Sequence, residues 1–325
     1  MELSSPLVSV LMPAYNVEEY IGEAIQSVLR QTLTDWELVI VDDGSTDGTL
    51  DVVRSFSDPR IRLIQHERNL GVAAARNRLL LEAKGDYATW LDADDMYTRR
   101  RLSVLWAHAS TGWPAVVADD LLMFRTAEAD SRVSYAHSLL RFHSVPSTLC
   151  QSTRGDASFV LSVEDFIGLA LGFLQPLFRM SLVHQHDLRF EDGVNFSEDF
   201  NFGVKLLCAA GGVRIVPSRL YYYRLGRPGS ATGRQDYEGA IISATRVILD
   251  HHVGSSRLQR NLRWRLQLLS HSCEYRSLSA DLRRLRLKEA VAAVGRCPVV
   301  STLVLMRLLL RLKMHLRGFL YLLGL

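Results

Sequence analysis

Cysteine is scarce in this chain of 325 residues, and the four present, Cys150, Cys208, Cys273 and Cys297, show no paired spacing. That pattern excludes a disulfide framework or a zinc site and suits a reducing cytosol. Met1 to Pro6 shows no basic stretch leading into an apolar one, so no secretory signal is expected. No run reaches the roughly 20 apolar residues that a spanning helix needs. The charge-free run Phe166 to Phe178 is too short and contains Pro176. The net charge of +3 is too small to argue for nucleic acid. It hides an asymmetry, because the acidic clusters precede residue 200 while the tail from Arg257 is crowded with arginine. An anionic ligand held through metal in the front part, and an anionic surface met by the tail, are the expectation. The length suits one large α/β domain with an appendage, or two domains.

The most informative feature present is Asp92-Ala93-Asp94-Asp95, at the end of the apolar run Tyr87-Ala88-Thr89-Trp90-Leu91. Three carboxylates within four residues repel one another unless a cation neutralises them, which points to a divalent metal site. Oxygen-only ligands suit Mg2+ or Mn2+, and these suit a phosphate-bearing substrate. The competing reading is an acidic turn that caps the next helix.

Val8 to Met12 reads as a buried strand stopped by Pro13. Asn16 then offers a helix cap ahead of Ile21, Ala24, Ile25, Val28 and Leu29 at helical spacing. Leu38 to Val41 is a second strand ending in Asp42-Asp43-Gly44-Ser45-Thr46-Asp47, and its helix carries Leu50, Val53 and Phe56. Ile61 to Ile64 is a third strand, Gly71 to Ala83 a helix, and Tyr87 to Leu91 a fourth strand. This alternation predicts an α/β fold with a mostly parallel central sheet and helices on both faces. Ligands bind such sheets at the carboxyl ends of the strands, where the Pro13-Ala14-Tyr15-Asn16, Asp42-to-Asp47 and Asp92-to-Asp95 loops converge. Ala118 to Leu161 is poorly patterned and reads as a long excursion over the acceptor side. Val163 to Leu174 is periodic again. Ser197-Glu198-Asp199 forms a second acidic site before a helix with Phe202, Val204, Leu206 and Leu207. Val213 to Val216 and Leu220 to Tyr223 read as two short strands.

Taken together, Pro13-Ala14-Tyr15-Asn16, Val41 to Asp47, Gly71-Val72-Ala73-Ala74-Ala75-Arg76-Asn77, Leu91-Asp92-Ala93-Asp94-Asp95 and Ser197-Glu198-Asp199 resemble family 2 of inverting glycosyltransferases. The likeness covers about residues 7 to 225. It implies the GT-A fold, with a donor-binding half at 7–117, an acceptor half at 118–235 and a C-terminal helical extension at 236–325. It further implies that Asp43 reads the nucleotide base, since a uracil N3–H needs an acceptor. An Asx turn of Asp42 and Asp43 with Gly44 is the structural alternative. Pro13, Ala14 and Tyr15 would lie against base and ribose, although Tyr15 suits a core ring equally. Arg76 would face the nucleotide or its diphosphate, or else solvent. Asp94 and Asp95 would carry the ribose and metal contacts, with Asp92 supporting them or sharing ligation.

Inversion is one direct displacement and requires a base, for which the resemblance implies Asp199, oriented or tuned by Glu198. The alternative is that Ser197, Glu198 and Asp199 only open the following helix. Gln259 to Trp264 departs from the Q-x-x-R-W of processive members, which favours a one-sugar transferase and a plain helix face there. Leu174 to Arg179 and Leu220 to Arg224 are similar to segments of succinoglycan-type exopolysaccharide glucosyltransferases. The expectation is then a UDP-sugar donor, UDP-glucose leading, and a glycan or lipid-linked oligosaccharide acceptor, with Arg179 and Arg224 meeting the lipid diphosphate. In the tail, Leu305, Leu308, Leu309, Leu312, Leu316, Phe319, Leu320 and Leu323 share one helical stripe that Arg307, Arg311, Lys313, His315 and Arg317 avoid. That pattern predicts peripheral attachment to the inner face of the cytoplasmic membrane, or a core-facing helix. A nucleotidyltransferase making nucleotide sugars and a catalytically silent scaffold are the competing functions. The first would need a Gly-rich, basic loop after the first strand, and Pro13 to Asn16 offers none.

Overall fold

Alternating apolar residues on the first two strands build two cores, one on each face of a sheet. Val8, Val10 and Met12 of β1 (Val8–Ala14) and Trp36, Leu38 and Ile40 of β2 (Trp36–Asp42) pack with Ile21, Ile25 and Val28 of α1 (Glu18–Leu29). The residues between them, Leu11, Val39 and Val41, face the opposite way onto Ala75 and Leu79 of α3 (Val72–Glu82). A strand buried on both faces needs this continuous apolar run. The fold was obtained as a computed structural model, which describes residues 5–126, 133–138, 158–168, 174–191, 198–227, 245–246, 249 and 255–270. Ser197, Cys150, Cys273, Cys297 and the leucine stripe at 305–323 lie outside the described residues.

With α2 (Thr49–Arg54), β3 (Ile61–Gln65) and β4 (Tyr87–Trp90), the front half is a wholly parallel array in the order β3-β2-β1-β4. Behind it come β5 (Met96–Tyr97), α4 (Arg101–Ala109), β6 (Val116–Thr126), β7 (Val133–Ser138), β8 (Phe159–Leu161) and α5 (Val163–Gly168). The described chain continues through β9 (Leu177–Arg179), α6 (Met180–Gln185), α7 (Glu198–Ala210), β10 (Val213–Arg224) and α8 (Ser256–Ser270). One sheet unites the strands in the order β3-β2-β1-β4-β9-β6-β10-β5, with β7 on β6 and β8 on β10. The strands β1 to β4, β6 and β10 share one direction, and β9 is the antiparallel strand between β4 and β6.

The structure departs from the sequence reading in four places, each with a physical reason. β1 continues through Pro13, which pairs with Val41, because β4 accompanies β1 only as far as Leu11 and Pro13 needs no donor on that side. Asn16 is not the cap of α1. It takes a positive φ of 49°, and its Oδ1 accepts from the Thr46 backbone at 2.9 Å, so it ties the first loop to the second. Val213 to Arg224 is one strand, interrupted by register shifts around Pro217 where a ladder donor is missing. β6 lies in the stretch read as unpatterned and crosses residue 117. Its Asp119-Asp120 disguises a strand whose neighbours Val116, Val117, Ala118 and Leu121 are core. The Gln259 to Trp264 segment is helical within α8, as read.

Asp119 is tolerated inside the sheet because Arg101 of α4 meets it, both side chains being fully buried. The guanidinium donates to Asp119 Oδ1 at 2.8 Å, to Thr89 Oγ1 at 3.2 Å and to the Gln175 carbonyl. It also lies over the rings of Tyr97 and Tyr221, 4.3 and 5.1 Å from their centroids. A buried pair adds little over an apolar pair, whereas removing one partner strands the other charge. Arg101→Met should therefore destabilise the fold by about 3–5 kcal/mol in urea unfolding. Arg101→Met combined with Asp119→Leu should recover most of it, and a loss under about 1 kcal/mol for the single change would contradict this role.

Candidate active site

The acidic loops sit at the carboxyl edge of the parallel strands, and the backbone joins them. Asp43 N donates to Ala14 O at 2.8 Å and Leu91 N to Leu11 O at 3.0 Å, so the loops after β1, β2 and β4 are held side by side. Pro13 and Ala14 end β1, and Tyr15 follows with 44% of its surface exposed, which excludes the core-ring reading. Asp42 makes the Asx turn, its Oδ2 accepting from Ser45 N at 3.1 Å. Gly44 is required beside it: φ is +73°, and a Cβ would lie 2.6 Å from the Arg68 carbonyl carbon.

Asp43 has a different task. Its carboxylate accepts from Leu70 N at 3.0 Å and Gly71 N at 2.8 Å and meets His66 Nδ1 at 2.7 Å. An ionised carboxylate offers about four lone-pair sites, so one remains for a ligand donor. Asp43 therefore fixes the 66–71 loop that opens α3. His66 was not singled out by sequence, since an isolated histidine after a strand carries no pattern.

From α3, Arg76 reaches across the site. Its guanidinium donates to Glu198 Oε1 at 2.8 Å and to Asp92 Oδ1 at 3.1 Å, and it lies over the rings of Phe190 and Trp90 at 5.5 and 5.7 Å. It is buried, not a solvated helix arginine. Burial works against its charge, but Asp92 and Glu198, with Asp199, hold its pKa above the ordinary arginine value. Below lies an aromatic floor. Phe190 and Phe202 stack at 4.4 Å, and Trp90 stands edge-on to both. Arg76, Asp199, Gln175 and these rings line a cavity of about 40 Å³.

The three carboxylates of the 92–95 loop are not equivalent. Asp95 is buried, with Oδ2 accepting from the Tyr221 hydroxyl and Oδ1 from Arg224 N, both at 2.7 Å. Asp92 receives Gln175 Nε2 at 3.1 Å on its Oδ2 and keeps a quarter of its side chain exposed. Asp94 meets Arg227 Nε at 2.7 Å and is 18% exposed. Burial first, and the neighbouring carboxylates next, push Asp95 well above the usual carboxylate range. Asp94 is also raised, by burial and Asp92, with Arg227 opposing.

Among the described residues no three His, Cys, Asp or Glu side chains form a ready metal cage. Magnesium does not need one, being commonly held by one or two carboxylates plus substrate phosphates. Asp92 and Asp94, partly exposed and mutually repelling, fit that donor set. Arg224, which the sequence reading turned toward the acceptor's lipid diphosphate, here faces inward. It is a buried strut, donating from Nε to Asp94 O at 2.8 Å and from NH2 to Glu23 at 2.6 Å. Arg179 is exposed and donates to Tyr87. Gln175, Tyr221 and Arg227 bear on the site from distant segments, and nothing in their spacing ties them to Asp92.

Asp199 opens α7 with Glu198, and its Oδ1 accepts from Phe200 N at 2.6 Å. Capping of the first turn and a place in the cavity wall thus coexist. Burial, then the Glu198 charge, push its carboxyl from the ordinary 3.8 up to about 7, with Arg76 pulling the other way.

An α/β sheet with acidic loops gathered at its carboxyl edge, one of them poised beside the Glu198-Asp199 pair, is the architecture of a GT-A glycosyltransferase. Over residues 9–165 the chain matches the model of the family described as Glycosyl transferase family 2. It is 27% identical over 288 residues to the succinoglycan biosynthesis protein ExoO of Rhizobium meliloti, covering 88% of this chain and 80% of that one. It is 45% identical over 98 residues to the Escherichia coli UDP-Glc:alpha-D-GlcNAc-diphosphoundecaprenol beta-1,3-glucosyltransferase WfgD, covering 30% of this chain. The matches span only 38–39% of the length of WfgD and two further relatives. Residues 1–349 of S. aureus TarS, crystallised with UDP-GlcNAc, share the fold with a TM-score of 0.66 at 20% identity, covering 98% of this chain and 92% of that one.

The raised Asp199 carboxyl carries a sign. A proton held more tightly in the folded state stabilises the fold fully below the unfolded value near 3.8, and that contribution is lost as pH rises through about 7. Asp199→Asn removes the loss. In thermal melts of the metal-free protein the variant should exceed the parent by more at pH 8 than at pH 4.5. A gap that does not widen with pH would contradict the raised carboxyl.

Proposed function

We propose that this enzyme transfers one sugar, glucose from UDP-glucose, with inversion to a hydroxyl of a lipid-linked glycan in surface polysaccharide synthesis. The observation that carries the reading is the Arg76 bridge, which seats Glu198 and Asp199 against the Asp92 loop. The donor lies in the 7–117 half, the acceptor in the 118–235 half. Tyr15, with Pro13 and Ala14, forms the exposed wall for base and ribose, and the remaining lone pair of Asp43 accepts the uracil N3–H.

Asp94, with Asp92, holds Mg2+ or Mn2+. Such an ion, when bound, neutralises charge on the departing nucleoside diphosphate. Asp95, expected on sequence to share the ion, is assigned instead to anchoring the loop. The hydrogen bonds at both its oxygens support that assignment. Arg76 orients Asp92 and Glu198 and supplies positive charge facing the diphosphate. Asp199 takes the proton of the acceptor hydroxyl as that oxygen attacks the anomeric carbon, and Glu198, held by Arg76, keeps its local field. A pKa of about 7 makes the base strong enough to accept the proton yet largely ionised just above neutrality.

The glucose and lipid-diphosphate assignments draw on what the WfgD name states of that protein, and the polysaccharide setting on ExoO. Among the described residues no helix is long and apolar enough to cross a membrane. Access to a lipid-linked acceptor is assigned to the basic leucine stripe at 305–323, lying on the inner face of the cytoplasmic membrane.

Calorimetry with UDP-, GDP- and dTDP-sugars, with and without Mn2+, tests the donor: UDP-sugars should bind, more tightly with the ion. Asp199→Asn should keep donor affinity within about threefold while transfer falls about 10²–10⁴-fold. Loss of donor binding in that variant, or indifference to nucleotide sugars, would overturn the proposal.

A further inference from the structure

Asp94 already has a cation. The Arg227 Nε lies 2.7 Å from Asp94 Oδ2, with both side chains 18% exposed. We infer that Arg227 is a resident counter-ion for Asp94 which a divalent metal must displace, so that the enzyme takes up metal with the donor diphosphate and not ahead of it. This rests on the proposed metal role of Asp94.

Three observations carry it. First, the contact is ionic and poorly directed: despite the short distance, Arg227 Nε makes no hydrogen bond of acceptable geometry among the described residues. Such a contact holds a charge in place without locking it. Second, the two neighbouring arginines differ in how they are fixed. Arg224 is tied through its backbone N to Asp95, through Nε to Asp94 O and through NH2 to Glu23. Among the described residues, Arg227 is placed by Asp94 and by the ring of Tyr20, whose centroid is 5.9 Å from the guanidinium carbon. Arg224 therefore holds the loop, and Arg227 is the cation able to leave. Third, a guanidinium and a divalent ion cannot share one carboxylate oxygen, because their repulsion at a few ångströms exceeds several kcal/mol at an effective dielectric of about 20.

The diphosphate resolves the conflict. It brings oxygen ligands to the metal, and its negative charge receives the guanidinium that the metal expels, a geometry to which arginine is suited. Without nucleotide the metal competes with Arg227 for Asp94. With nucleotide it does not.

Mn2+ binding to the full chain, followed by electron paramagnetic resonance of the free ion with and without saturating UDP, tests this directly. Without nucleotide, Arg227→Gln should bind Mn2+ about tenfold or more tightly than the parent, while Arg227→Lys, which keeps the charge, should stay close to it. Adding Asp94→Asn to Arg227→Gln should abolish the gain, and UDP should narrow the gap. Equal Mn2+ affinity of the parent and Arg227→Gln without nucleotide, with Mn2+ still taken up by their UDP complexes, would overturn the counter-ion inference and leave the metal reading intact. No Mn2+ uptake by any form, even with UDP bound, would overturn both.

Discussion

The site depends on one buried cation. Arg76 reaches from the middle of α3 to Asp92 after β4 and to Glu198 at the start of α7, joining segments more than a hundred residues apart. Glu198 is buried and Asp92 is three-quarters covered, and carboxylates so placed are costly without a partner. The guanidinium supplies that partner to both while resting over Phe190 and Trp90. Everything else at the site is arranged around this contact. Asp43 holds the loop from which α3 starts, Gln175 steadies the other oxygen of Asp92, and Tyr221 anchors Asp95 from β10.

That arrangement explains the uneven character of the carboxylates. Asp95 is hydrogen-bonded at both oxygens. Asp92 and Asp94 keep partial exposure, and Asp199 keeps a raised carboxyl because burial and the adjacent Glu198 charge outweigh the pull of Arg76. The same burial that tunes Asp199 opposes folding at neutral pH, a common tension where a site demands a strained electrostatic environment. The Arg101–Asp119 pair bonds the backbone of Gln175, whose side chain holds Asp92, and the aromatic floor packs against Arg76.

Much of this was legible in the sequence, for reasons that can be named. The strands β1 to β4 and their helices showed through because both faces of β1, β2 and β4 are buried, β3 at the edge is still apolar and part-covered, and the loops carry turn and acidic residues. The motifs around Asp43, Arg76, Asp92 and Asp199 were readable as a set because four independent signals fell in order. β6 was not, since Asp119 and Asp120 interrupt its apolar run and only Arg101, from another helix, makes Asp119 admissible. The role of Asn16 was misread because a capping residue and a loop tie use the same side chain, and only the positive φ separates them. Gln175 and Tyr221 lie in segments noted only for their resemblance, and Arg227 in none, because long-range contacts with a loop leave no local spacing that names a role.

The coupling through Arg76 is open to a single measurement. In the pH profile of kcat/KM with a UDP-sugar, the acid limb should report the free enzyme's Asp199. Arg76 pulls that carboxyl down, so Arg76→Met should move the limb to higher pH as well as lower the plateau. A profile whose acid limb stays where it is in the parent, whatever happens to the plateau, would show that the donor-side and base-side carboxylates are not joined through Arg76.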